Sequence, residues 1–306
     1  MECIPQRLHH YQNAIMNSAK WDHFVPRADD IIITTSYKAG TTWMQGICAA
    51  LVFQQPQPPV PQDDLTPWFD SNFAPLEVVL AQVEGLQQRR YIKTHCPLDG
   101  IRFFPQVKYI FVGRDGRDVF MSMWNHWHNL RPEAIAALNN APDRRGPELP
   151  LPGESISDAF DAWLERGSFP WEQDGYPFWS HLHHAQTWWD YKHLPNILLV
   201  HFDDLLKDLD GQMRRISAYL DIPVNESVWP ELLAGVSFDA MKSNAQRMAP
   251  GANHGTWKDT GNFFHKGTSQ RWRGVLTDAQ VRRYEQLAAE RLHPELNHWL
   301  SSGTTT

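Results

Sequence analysis

Four short apolar runs set the pattern of the chain, and each ends in a polar cluster. Ile31-Ile32-Ile33-Thr34 is β-branched and unbroken, which predicts a strand over 31–34 buried on both faces of a parallel sheet. Tyr91 to Thr94, Lys108 to Gly113 and Asn196 to His201 read as further strands. Helical spacing lies between and after them. Trp43, Ile47, Ala50 and Leu51 mark a helix over 42–54, and others are expected at 76–85, after the third strand through Met121, Ser122 and Trp124, and at 178–192, 206–220, 226–235 and 277–292. Residues 1–30 read as a short helical lead-in, and the six prolines from Gln55 to Pro75 predict an irregular surface loop. Repeated strand, polar loop and helix predicts an α/β fold, a P-loop-like parallel β-sheet flanked by helices with ligands at its carboxyl edge. We expect one domain over 1–300, with a partly helical excursion near 131–176 covering the sheet edge and a flexible tail at 301–306.

Composition narrows the function classes. The 306 residues are 42% hydrophobic, enough for a large core, and the net charge of −7 comes without a basic run. A small-molecule ligand is therefore expected, not nucleic acid. Cys3, Cys48 and Cys96 are scattered, so neither a disulfide framework nor a structural zinc site is expected. The N-terminus lacks the apolar core of a signal peptide and no stretch has the length of a membrane span, which sets cytoplasmic location, with no membrane partner, as the default.

The polar clusters carry the chemistry. Ser36-Tyr37-Lys38-Ala39-Gly40-Thr41-Thr42-Trp43 joins the first strand to a helix N-terminus, a site that stabilises phosphate or sulfate through open N–H groups and the helix dipole. It is not a Walker A loop, because Lys38 precedes the glycine; a lysine placed there can supply positive charge without a metal. Lys93-Thr94-His95 ends the second strand, and His95 is a candidate general base. Arg114 and Ser122, eight residues apart, suit a terminal phosphate monoester. Lys266-Gly267 is a weaker anion-binding candidate in a glycine-bearing segment. A histidine at a strand end and an arginine beside Asp115 and Asp118 also have ordinary structural readings. What favours function is that all three strand-end clusters fall on one sheet edge.

Taken in order, these motifs resemble the cytosolic sulfotransferase family, whose members transfer a sulfuryl group from 3′-phosphoadenosine 5′-phosphosulfate (PAPS) and release the bisphosphate PAP. The match runs from about Ile31 to Arg273. It rests on K-A-G-T-T-W, K-T-H-C-P, G-R-D-G-R-D-V with Ser122, and F-F-H-K-G with Trp272-Arg273. The resemblance implies that Lys38, Ala39, Gly40, Thr41 and Thr42 hold the 5′-phosphosulfate. It assigns Arg114, Ser122, Lys266 and Gly267 to the 3′-phosphate, and Trp43, Phe202, Phe238 and Phe263 to the surroundings of the adenine. His95 would take the acceptor proton, while Lys38 and Lys93 compensate charge on the leaving and equatorial oxygens, with no metal. Two departures stand out: Ala39 replaces a serine, and His265 replaces an arginine near the 3′-phosphate. Asp278 and Arg282 break the family's dimer signature, so the oligomeric state is left open.

The acceptor is expected to be a small, largely apolar molecule bearing a hydroxyl or amine, near Trp68, Phe69, Trp124, Trp127, Trp163 and Trp171. A P-loop nucleotide kinase, a non-catalytic binder of adenosine bisphosphate or a sulfated metabolite, and an enzyme that sulfonates a hydroxyl to eliminate it are the competing readings.

Overall fold

The computed structural model describes residues 4–141 and 145–303. Four parallel strands form its centre: β1 (Ile31–Thr35), β2 (Tyr91–Thr94), β3 (Lys108–Gly113) and β4 (Ile197–His201), in the order β2-β1-β3-β4. Ile31 pairs with Tyr91 on one side and Lys108 on the other, so the carboxyl ends of β1, β2 and β3 come level. The order reverses around β1, which opens a crevice at that edge.

Period-2 alternation along β1 explains why its isoleucines are all buried. Ile32 faces a core shared with Ile92, Tyr109 and Phe111, whereas Ile31 and Ile33 face a second core with Ile110 and Val112. Helices α1 (Thr41–Phe53), α2 (Gln62–Leu65) and α3 (Leu76–Gly85) lie between β1 and β2 in sequence. After β3 come α4 (Gly116–Asn129), α5 (Pro132–Asn139), α6 (Ile156–Glu165) and α7 (His181–Trp189). Beyond β4 are α8 (Phe202–Lys207), α9 (Leu209–Tyr219), α10 (Trp229–Gly235), α11 (Phe238–Ser243), α12 (Ala245–Met248), α13 (Asp278–Arg291) and α14 (Pro294–Ser302). At the amino edge, Arg90 grips Asp30 through two hydrogen bonds, both side chains fully buried, which ties β1 to β2.

Several expectations need correction. The lead-in is mostly irregular, with one 3-10 turn at Ser18–His23, because Asn13 and Asn17 turn their side chains back onto nearby backbone N–H groups. The stretch expected as one helix over 206–220 is two, since Asp208 caps a new N-terminus by accepting from Gly211. The chain end was expected to be a flexible tail from Ser301, yet Ser301 and Ser302 complete α14 and Gly303 is buried; 304–306 lie outside the described residues. Pro294 at the first turn and the buried Leu296, Trp299 and Leu300 account for that helix. Cys48 and Cys96 are buried free thiols, and Cys3 lies outside the described residues. Among those residues no helix is long and apolar enough to cross a membrane.

Candidate active site

The loop between β1 and α1 is built on two left-handed backbone conformations, Lys38 at φ 63° and Gly40 at φ 121°. Gly40 is needed there: a Cβ would meet the Phe202 ring at 3.0 Å in a conformation that side chains disfavour. Lys38 has no such exemption, and holding a lysine in that region costs about 1–3 kcal/mol. The turn sets α1 with Gly40 as its N-cap, no capping side chain and no acid in its first turn. Its first N–H groups and positive dipole end are therefore open to an anion.

Three cations gather at that N-terminus, Lys93 and Arg114 buried and Lys38 half-buried. Lys38, at the loop, has its ammonium 3.2 Å from Nδ1 of His126 and 4.1 Å from the Phe263 ring centre. Burial, then Arg114 and Lys93, pull its pKa down to about 7. Arg114, just past β3, lies flat on Phe202 at 3.9 Å and donates to the carbonyls of Lys38 and Thr268. Its Nε is buried with no partner among the described residues. Burial lowers its pKa to about 10, opposed by Asp118 and Asp203, so it stays charged at neutral pH. Lys93, on β2, is 5% exposed, and burial lowers its pKa against the opposing pull of Asp63 and Asp70.

His95 stands where β2 ends, with Trp68 at 4.8 Å edge-on and Tyr37 and Trp179 on other sides. Its Nδ1 lies 3.0 Å from the carbonyl of Thr35. A carbonyl only accepts, so Nδ1 carries the proton and Nε2 keeps its lone pair. Burial, followed by Lys93, depresses the pKa to about 3, which keeps the imidazole neutral throughout the physiological range.

These groups line a single cavity of about 1230 Å³, more than the roughly 300–1000 Å³ of an ordinary one-ligand pocket. At one end are Lys38, Gly40, Thr41, Thr42, Trp43, Arg114 and Ser122. The 263–271 segment closes it with Phe263, His265, Lys266, Gly267 and Arg271, anchored because Asp118 accepts from the N–H groups of Gln270 and Arg271. A side chain at Gly267 would strike Phe238 at 2.3 Å, so only glycine fits this φ 63° position. A further part of its lining, an apolar arm, comes from Val78 and Val79 of α3, Ala134, Ala137 and Leu138 of α5, and Leu149.

Ala39 is buried and does not line the cavity. Phe263 does, but its ring lies against Lys38, His126 and Trp257, while Phe264 is the neighbour of Phe238. Of the aromatics expected at the acceptor, Trp68 lines the cavity. The expectation for the other five needs correction. Phe69 and Trp163 fill the core, Trp127 is buried with its indole donating to Pro150, Trp124 packs on His128, and Trp171 stacks on His9. A large aromatic, on a helix or in a loop, is more often core than cleft. His126, Arg271 and the alanine face of α5 were not anticipated. Ser122 and His126 share the i,i+4 spacing of one helix face, the signal that could have found the histidine.

The sulfotransferase domain family matches residues 28–294. The chain belongs to this family. The sulfotransferase is 33% identical to a glycolipid sulfotransferase of Mycobacterium tuberculosis, covering 96% of this chain and 94% of that one. It is 24% identical to the luciferin sulfotransferase of Photinus pyralis, over 86% and 71% of the two chains. A mouse sulfotransferase crystallised with PAP shares the fold at a TM-score of 0.67 and 22% identity, covering 92% and 91%. A retinol dehydratase in complex with androsterone and inactive cofactor PAP does so at 0.69 and 19%, covering 91% and 87%.

Proposed function

We propose that this sulfotransferase takes its sulfuryl group from PAPS and passes it by in-line displacement, without a metal, to a hydroxyl or amine of a largely apolar acceptor. Three features of the cleft support that donor: the uncapped N-terminus of α1, the buried unpartnered Nε of Arg114, and the Gly267 position that no larger residue could occupy. PAPS supplies a sulfur atom bonded to a good leaving group, a phosphate oxygen. Lys38, Gly40, Thr41 and Thr42 would hold its 5′ end, Arg114, Ser122, Lys266 and Gly267 its 3′-phosphate, and Trp43 and Phe238 the base.

The chain's own residues then divide the work. Nε2 of His95 takes the acceptor proton as the new O–S (or N–S) bond forms and the S–O bond to the phosphate breaks. Lys38 compensates the charge that appears on the departing phosphate oxygen, and Lys93 that on the equatorial sulfuryl oxygens. Such transfer depends on positioning and charge compensation more than on covalent help. The observation that carries the base assignment is the Nδ1–H to Thr35 carbonyl bond, which leaves the neutral Nε2 lone pair for the acceptor.

The apolar arm supports an acceptor with an extended aliphatic body, and the mycobacterial relative, named for a glycolipid acceptor, fits that reading. His95→Gln tests the mechanism. Labelled sulfuryl transfer should fall by about 10²–10⁴-fold, the usual worth of a general base. PAP affinity by calorimetry should stay within about 3-fold, some 0.6 kcal/mol. Loss of both together would reassign His95 to holding the cleft in shape.

A further inference from the structure

We infer that His126 positions Lys38, acting through the lysine and not on the substrate. Lys38 is half-buried at the cavity wall in a left-handed backbone conformation, and among the described residues no carboxylate forms an ion pair with it. An amine drawn partly out of water needs acceptors for its protons. The hydrogen-bond partner its side chain has among the described residues is Nδ1 of His126, at 3.2 Å. Phe263 adds a π face at 4.1 Å.

His126 is itself fixed. It sits in the last full turns of α4, 8% exposed, with Trp257 at 4.6 Å, Tyr37 at 5.2 Å and Phe263 at 5.6 Å around the ring. Among the described residues no carboxylate acts on it to draw a second proton onto the imidazole. Burial, with the positive charges of Lys38 and Lys93, holds it neutral, and because the Lys38 amine donates to Nδ1, that nitrogen is the unprotonated one and the ring proton sits on Nε2. Helix geometry adds a link. Ser122 and His126 are one turn apart on α4, so the helix that offers a hydroxyl to the 3′-phosphate end also sets the lysine at the 5′ end. Ala39, next to Lys38 and buried with no polar side chain, leaves that task to α4.

The inference rests on Lys38 acting at the donor, and its test separates the two. His126→Phe keeps an aromatic ring and removes the acceptor; His126→Asn keeps an acceptor near the Nδ1 position. His126→Phe should lower kcat by about 10–100-fold, the worth of one hydrogen bond to a charged group. The KM for PAPS and the affinity for PAP should move by less than about 3-fold, which also shows that the variant folds. His126→Asn should recover most of the rate. In a Lys38→Ala background, His126→Phe should have no further effect, the non-additivity expected of residues acting as a unit. The side-chain Nζ resonance of Lys38 in the substrate-free enzyme should shift in His126→Phe and return towards wild type in His126→Asn. A wild-type rate in His126→Phe, an undiminished effect in the Lys38→Ala background, or an unmoved Lys38 resonance would each overturn the inference. Full activity of Lys38→Ala alone would instead sink the donor-side role of the lysine.

Discussion

Arg114 carries the donor's 3′-phosphate in this account, because a guanidinium laid on Phe202 has its donors in a fixed fork that an ammonium cannot copy. Arg114→Lys should weaken PAP binding by about 10–100-fold, one to two charged hydrogen bonds. Binding of adenosine 5′-phosphate, which lacks the 3′ group, should hardly change when both are measured by calorimetry. His95 gives a second expectation. Its value of about 3 in the fold lies below the ordinary value of roughly 6.5, so below pH 6.5 the unfolded chain takes up a proton that the native state refuses. Its contribution to stability is therefore lost as pH falls towards 3. At pH 5 the wild type should have lost about 2 kcal/mol relative to His95→Gln, compared with their difference at pH 7, in denaturant titrations. At this scale the sequence was legible where chemistry sits at strand ends. Lys38, Lys93, His95 and Arg114 follow short apolar runs, and parallel strands deliver their ends to one edge. His126 and Arg271 were not legible, since their partners Lys38 and Asp118 lie 88 and 153 residues away.

The α5 helix turns a small-residue face, Ala134 and Ala137, towards the apolar arm while Ile135 is buried on another side. In the proposed reading that face leaves room for the acceptor's body. Ala137→Trp should raise KM at least about 10-fold for acceptors with a long alkyl portion, through loss of roughly 1.4 kcal/mol of apolar contact, and leave short alcohols unaffected. Equal effects on both would mean the acceptor enters another way. Elements with strong local signals were readable: the β-branched run of β1 and the apolar runs of β2 and β3 fall where expected. The break at Asp208 was hidden because Leu205, Leu209, Met213 and Ile216 keep helical spacing through it, and a side-chain cap makes no mark on periodicity. The cleft aromatics were misjudged for a related reason: burial of Trp163 and Phe69 depends on long-range packing that spacing does not encode.

At the scale of the whole molecule, the cavity joins elements far apart in sequence, from Lys38 on the β1 loop to Arg271 before α13. Binding in it should therefore stabilise the fold globally. PAP at about 100 times its dissociation constant should add about 2.7 kcal/mol by mass action, seen as a raised thermal midpoint, and Arg114→Lys should cut that gain to about 0.4–1.4 kcal/mol at the same PAP concentration. In the proposed reaction a sulfuryl group moves from PAPS to an acceptor without a metal, through Lys38 and His95. The most direct measurement incubates the enzyme with sulfur-labelled PAPS, excess chelator and a panel of hydroxyl- and amine-bearing amphiphiles, and follows label and PAP together. Labelled sulfate ester or sulfamate should form in equal amount to PAP, unaffected by chelator and lost in His95→Gln. Label released only as inorganic sulfate with an unsaturated product would mean elimination, and transfer that needs magnesium and a nucleoside triphosphate would overturn the proposed reaction outright.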